Sequence, residues 1–197
     1  FDPNRKTGDV VLSASRGGVS VPEGGGRFFV MYPFAPAQRI LNGHLQVILN
    51  VNRYATSSGS ALAKRVVSEG IDGVVPILPR FDTGGWSNYQ PGQEADLGYH
   101  EFQTEQLLKL GEETSNPVLA EYGARFNRYL ETAPQLTIPA TSWPAMVGPV
   151  DGWRDTVTIR YQTDKRAKVT MVLTNAETGA EVRRVSTPSG RGSAALM

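Results

Sequence analysis

The residues best suited to chemistry lie between Pro79 and His100. Tyr89 and Tyr99 sit in a polar, Gly-rich stretch, His100 directly follows Tyr99, and Trp86 stands just before Tyr89. Phenol and imidazole groups give and take protons when a reacting atom is held within reach. His100 therefore reads as an acid/base group or as the partner of a carboxylate. Trp86 has two readings: its face stacks on the apolar face of a pyranose, or it fills the loop. Tyr32 follows Phe28 and Phe29 in an expected strand, so cleft and core stay equally open for it. Asp82-Thr83-Gly84 reads as a structural turn in which Asp82 accepts backbone N–H groups. His44 lies on an apolar helix face and is expected to be a satisfied core or cap residue rather than a catalyst. The nearby positive candidates are Arg39, Arg80 and His100. Tyr122 and Tyr129 read as packing residues, and Arg125 and Arg128 as a solvated helix face.

Charge and composition narrow the chemistry. The 197 residues carry 20 basic and 19 acidic side chains, a net charge of +1. A phosphate-binding surface needs a basic excess, so nucleic acid is not the expected partner. There are no cysteines, which removes disulfides, thiol nucleophiles and thiolate metal sites. With two histidines no zinc site is expected, and no cofactor is expected either. No apolar run approaches the roughly 18 residues of a membrane span. Phe1 is not preceded by a charged-then-apolar leader, so the chain is expected to begin after a removed signal or within a longer protein.

The elements that must position these groups fall into successive textures. Residues 1–36 are Gly-rich and strand-like, with apolar runs at Val10-Val11-Leu12 and Phe28–Tyr32. This segment is too small to bury its own core and is expected to pack on the region that follows. Residues 37–132 read as helical. Pro36 suits a helix start, and Thr56 to Gly59 ends that helix. Ser60 suits an N-cap for a second helix, which Pro76 and Pro79 stop. A loop of about twenty residues follows, long enough to be a functional candidate. A third helix is expected over His100 to Glu113, and Asn116-Pro117 as N-cap and first residue of a fourth. Short connections imply antiparallel helical hairpins. Residues 133–150, with Pro134, Pro139, Pro144 and Pro149, read as a semi-rigid linker. From Asp151 the period becomes two, over Thr156–Tyr161, Lys168–Leu173 and Glu181–Val185. Residues 151–197 are expected to begin an immunoglobulin- or fibronectin-like sandwich, incomplete at this length. The expected fold class is mainly α, with a short N-terminal β segment and a C-terminal partial β-sandwich.

The order Tyr32-Pro33, Leu41-Asn42-Gly43-His44, Leu78-Pro79-Arg80-Phe81-Asp82-Thr83-Gly84, Tyr89, Tyr99-His100 and Asn116-Pro117 resembles the C-terminal domain of D-glucuronyl C5-epimerases. The resemblance covers roughly residues 28–132. It implies part of an (α/α) toroid that lines a polysaccharide cleft. It also implies proton removal and return at C5 of a uronic acid, with one acid/base group acting from each ring face. By position, Tyr99, Tyr89 and Tyr32 correspond to site tyrosines, with His100 beside them. Phenols suit this role if neighbouring positive charge lowers their pKa. Arg39, Asn42, His44, Arg80 and Trp86 are the expected substrate contacts. The chain departs from the family pattern at Met31, where an acidic residue is usual. Gln90–Gly98 also departs, holding two acids and no base.

Three functional readings follow. The first is a C5-epimerase acting on an acidic polysaccharide. The second is a glycan-binding or structural module that kept the fold and lost the chemistry. The third is a uronate lyase, which removes the same proton and then eliminates. A secreted or cell-surface location is expected. A homo-oligomer, or further segments of the same polypeptide, is expected to complete the cleft.

Overall fold

The computed structural model describes residues 18–139, 157–187 and 194–196. The chain divides into two units, Phe1–Glu131 and Thr132–Met197.

The first unit begins with a hairpin. Strand β1 (Ser20–Glu23) pairs antiparallel with β2 (Gly26–Phe29), in register from Ser20↔Phe29 to Glu23↔Gly26. The turn uses Gly24 and Gly25 at φ 58 and 93, a region that glycine enters without a Cβ penalty. Phe28 and Phe29 are buried in the helical core, together with Leu41, Leu45, Ile48 and Val74. The run to Tyr32 is expected as one strand, but the regular ladder ends at Phe29, with one further bond from Val30 N to Val19 O at 2.7 Å. Val10-Val11-Leu12 lies outside the described residues.

Helix α1 spans Leu41–Ser58, so Pro36 does not start it. Successive turns occupy that stretch instead: Ala35 N donates to Tyr32 O at 2.9 Å and Gln38 N to Ala35 O at 3.0 Å. Gly59 ends α1 in the left-handed region at φ 69. Helix α2 (Ala61–Val74) starts on Ser60, whose Oγ accepts from Ala63 N at 3.3 Å. The connection of two residues folds α2 back along α1. Gly73 lets β2 pass directly over α2, because a Cβ there would overlap the Arg27 backbone.

Pro76 and Pro79 convert the end of α2 into a 3₁₀ segment, Val75–Phe81, since neither can donate a helical hydrogen bond. The expected long loop holds a small hairpin, β3 (Asn88–Gln90) with β4 (Gln93–Glu94). Helix α3 runs Leu97–Thr114, three residues earlier than expected, because the Asp96 carboxylate caps it. Helix α4 (Pro117–Glu131) starts on Asn116, whose Oδ1 accepts from Val118 N and Leu119 N, both at 3.1 Å. The pair α3/α4 approaches closely through small residues. A Cβ on Gly111 would lie 2.6 Å from Ala120 N, and one on Gly123 would lie 2.7 Å from Leu108 N.

The second unit, in its described residues, consists of three two-stranded antiparallel pairs. Strand β5 (Leu136–Thr137) pairs with β7 (Gln162–Thr163), β6 (Val157–Ile159) with β10 (Ala194–Leu196), and β8 (Val169–Thr174) with β9 (Glu181–Thr187). Asn175 Oδ1 accepts from Glu177 N and Thr178 N at 2.9 Å each, and Gly179 turns the chain at φ 71. The stretch expected as a linker therefore carries a strand at Leu136–Thr137. Its residues 140–150 lie outside the described residues.

Candidate functional site

Two tyrosines distant in sequence meet at the start of α3. Tyr89 comes from β3 and Tyr99 from the first turn of α3, and their ring centroids lie 4.7 Å apart at 51°. Tyr99 sits there because Asp96 Oδ1 accepts its backbone N–H at 2.8 Å, which anchors the turn. Tyr99 is 42% exposed and Tyr32 is 37% exposed, and Tyr89 is half-buried. Tyr32 lies beyond β2, with its ring 5.5 Å from that of Phe34. Loss of hydration raises the Tyr89 pKa. The neighbouring phenols of Tyr99 and Tyr32 push in the same direction, as does a hydrogen bond with Tyr99. All three tyrosines therefore belong to one electrostatic neighbourhood. The expected lowering of the phenol pKa does not hold at Tyr89, since every contribution there is a raising one.

A buried polar cluster supports this pair from beneath. His100 is fully buried. Its Nε2 lies 3.1 Å from Phe126 O, which can only accept, so Nε2 carries the proton. Nδ1 then accepts from Ser87, whose Oγ lies at 2.6 Å and whose N lies at 3.3 Å. Gln103 Nε2 donates to Ser87 Oγ and to Asn88 O, the latter at 3.2 Å. The His100 ring stacks on Trp86 at 3.7 Å, and Trp86 Nε1 donates to Ala95 O at 2.9 Å. His100, expected as an acid/base group or a carboxylate partner, does not reach solvent with its ring. Trp86 is corrected likewise, since it is 7% exposed and fills the loop rather than facing a sugar.

The remaining expected contacts divide. His44 is fully buried, accepts from Phe29 N on Nδ1 at 2.8 Å and donates from Nε2 to Gly70 O at 3.0 Å. Desolvation lowers its pKa to about 3, with Arg39 acting in the same direction and the Gly70 hydrogen bond opposing. It is the satisfied core residue of the sequence reading and not an open substrate contact. Arg39 is held by Glu23, with Nε 2.7 Å from Oε2, and by Pro36 O at 2.6 Å. Arg80 is exposed, and among the described residues it has no ion-pair partner. Its carbonyl accepts from Asn88 Nδ2 at 3.1 Å, which ties Arg80 to the neighbour of Tyr89. Asn42 is 6% exposed, and its Oδ1 has no hydrogen-bond partner among the described residues.

Asp82 is the turn residue expected and more. Its Oδ1 accepts from Gly84 N and from Tyr129 OH, both at 2.9 Å, and its Oδ2 pairs with Arg125 at 3.1 Å. Arg125 also pairs with Glu121 and lies 4.7 Å from the Tyr122 ring centroid, so it is not simply a solvated side chain.

Sequence reasoning missed Ser87, Gln103, Gln46 and Phe102. The available signal was polar Gln103 and Gln106 on the buried face of α3 beside Leu107 and Leu110. Among the described residues no group of acidic, histidine or cysteine side chains could hold a metal, and no helix is long and apolar enough to cross a membrane.

One relative, an uncharacterized protein of Methanocaldococcus jannaschii, is 27% identical over 84 residues. That stretch covers 42% of this chain and 27% of the relative, so the chain matches little more than a quarter of that protein. The sequence model of the D-glucuronyl C5-epimerase C-terminus matches residues 4–128, reaching further toward the N-terminus than the motifs suggest. This is more than half the chain and falls within the unit Phe1–Glu131 that carries the tyrosine pair. The chain belongs to the D-glucuronyl C5-epimerase C-terminus family.

Proposed function

We propose that this protein acts as a C5-epimerase on a uronic-acid-containing polysaccharide, with Tyr89, Tyr99 and Tyr32 as its proton-transfer groups. The observation that carries the reading is the contact of Tyr89 with Tyr99 at 4.7 Å, with Tyr32 in electrostatic reach of Tyr89. Two phenols from two elements meet where solvent reaches them.

The chemistry assigns sides. Epimerisation breaks the C5–H bond, passes the electron pair into the carboxylate as an enolate, and forms a new C–H bond on the opposite face. Rings whose centroids are 4.7 Å apart leave no room for a pyranose between them. Tyr89 and Tyr99 therefore serve one face together, and Tyr32 serves the other. In this assignment Tyr32 takes the departing C5 proton on its face, and Tyr89, whose proton is held more tightly, gives a proton to C5 on the other. The enolate carries a second negative charge that a cation must offset. Arg80 suits that task, because it is exposed and its backbone is tied to Asn88.

A second reading is a glycan-binding module without turnover. It is favoured by the upward shift at Tyr89, since no cation contributes to it. Either reading is compatible with helical hairpins that form part of an (α/α) toroid, an immunoglobulin-like β unit, and a secreted or cell-surface protein.

The test is solvent exchange on a glucuronate polymer in D₂O. Deuterium at C5 without new ultraviolet absorbance supports epimerisation, and loss of that exchange in Tyr99→Phe supports the assigned role. Absorbance from a 4,5-double bond would instead indicate a lyase. Glycan binding with neither signal would leave the module reading.

A further inference from the structure

Tyr89 and Tyr99 are placed as two reactants would be. Their ring centroids lie 4.7 Å apart at 51°, at the short end of the range for packed aromatic rings. Tyr99 is 42% exposed and Tyr89 is half-buried, so reagents in solvent reach the pair. The backbones on either side are tied together. Gln103 Nε2, on α3, donates to Asn88 O in β3 at 3.2 Å, and Ser87 Oγ lies 2.6 Å from His100 Nδ1. Asp96 Oδ1 accepts from Tyr99 N at 2.8 Å. The two phenols are thus held side by side on fixed main chain, while the exposed Tyr99 ring samples its rotamers on a picosecond-to-nanosecond scale.

A tyrosine that loses one electron and one proton becomes a phenoxyl radical, with spin density on the carbons ortho to the oxygen. Two such radicals couple through those carbons. In free solution they must first meet, whereas here contact replaces the encounter. The rest of the chain competes poorly. It contains no cysteine, so no thiol of its own reduces the radical. Tyr54, at 60% exposed, makes no ring contact among the described residues and has no phenol to couple with. Tyr32 meets Phe34, which carries no hydroxyl.

We infer that Tyr89 and Tyr99 form an oxidative modification site, joined by a peroxidase and hydrogen peroxide into one dityrosine cross-link. Each phenol gives up one electron and one proton. A carbon–carbon bond then forms between the two ortho carbons. The hydrogens displaced from those carbons move to the oxygens, so each ring ends with its hydroxyl restored. One hydrogen peroxide accepts the two electrons and two protons and becomes two water molecules. The new bond fastens the β3–β4 hairpin to the first turn of α3. The inference rests on the contact between the rings and is independent of the epimerase reading.

The test treats the intact protein, kept dilute to suppress coupling between molecules, with a haem peroxidase and limiting hydrogen peroxide. The expected product is a monomer lighter by two hydrogen masses, with blue dityrosine fluorescence. Proteolysis on the carboxyl side of glutamate cuts at Glu94, between the two tyrosines, and the peptides carrying Tyr89 and Tyr99 should stay joined. Tyr89→Phe and Tyr99→Phe should each lose the mass shift and the joined peptide, whereas Tyr54→Phe keeps both. Tyr99→Phe alters only an exposed hydroxyl, so the test stands if Tyr89→Phe unfolds. A mass shift retained in Tyr99→Phe, a joined peptide carrying another tyrosine, or coupling only between molecules would each overturn the inference. So would oxygen added at Met31 without any cross-link. A cross-linked monomer that shows no C5 exchange before oxidation would strike only the epimerase reading.

Discussion

His100 Nδ1 lies 2.6 Å from Ser87 Oγ, and that contact joins the residue leading into β3 to the first turn of α3. Tyr89 stands two residues beyond one partner, and Tyr99 stands directly before the other. The hydrogen bond thus helps to set the spacing of the two phenols. Ser87→Ala should remove the shorter contact to Nδ1 and one acceptor of Gln103, leaving Nδ1 with Ser87 N and Gln103 with Asn88 O. The expected loss is roughly 0.5–1.5 kcal/mol of stability, read from the urea midpoint. If the bond also sets the phenol spacing, C5 exchange should fall more in Ser87→Ala than in Ser87→Thr, which retains the hydroxyl. Equal exchange in both variants would remove the positioning role.

The two histidines do the same structural work, which their positions in sequence did not reveal. His44 ties the Phe29 N–H of β2 to the Gly70 carbonyl of α2, and His100 ties Ser87 to the Phe126 carbonyl of α4. The apolar neighbours of His44 made a core role legible. Nothing around His100 did so, because its burial comes from Trp86 folding over it and from a helix 26 residues away in sequence. Ser60, Asn116 and the paired prolines marked helix ends correctly, because capping and the missing proline N–H are local effects. Asp96 was counted only as acidic charge in a loop, yet it caps α3. The three phenols were singled out by motif order, whereas the contact of Tyr89 with Tyr99 required the hairpin that brings Tyr89 to α3.

The neutral state of His44 makes the fold sensitive to acid. Its folded pKa is lowered to about 3. Its ordinary value in an unfolded chain is about 6.5. Between these values the unfolded chain binds the extra proton, so stability rises with pH. Its contribution is complete above about pH 6.5 and is lost progressively as pH falls toward 3, at roughly 1.4 kcal/mol per pH unit. Urea midpoints measured from pH 7 to pH 4 should fall accordingly. The His44 ring protons should show no titration in the folded protein over the same range by NMR.

Gly73 carries a close approach that no side chain can share. A Cβ there would overlap the Arg27 backbone, and both partners are main chain of packed elements. Gly73→Ala should therefore cost several kcal/mol, roughly 3 or more, through displacement of β2 from α2. Gly59, at φ 69 with open space around its Cβ position, is the control. Gly59→Ala should cost only about 1 kcal/mol, the penalty of a left-handed backbone. Thermal melts of the two variants should separate clearly; similar shifts would mean that β2 can move aside.

Asp82 links the turn before β3 to α4 through Tyr129 and Arg125, and an alkaline titration can detect this. Burial and the Asp82 carboxylate push the Tyr129 phenol up to about 12, against an opposing pull from Arg125 and Arg128. A phenol whose folded pKa lies above its unfolded value of about 10 stabilises the fold below that value. The contribution is lost as pH rises from about 10 through 12. Asp82→Asn keeps the shape of the side chain but removes the charge that repels phenolate. In that variant the Tyr129 transition, followed by tyrosinate absorbance, should move down toward the ordinary value. The Arg125 pair is lost at the same time, so the turn should also loosen at neutral pH. A Tyr129 transition that stays in place in Asp82→Asn would mean that burial alone sets it and that Asp82 does not clamp the helix.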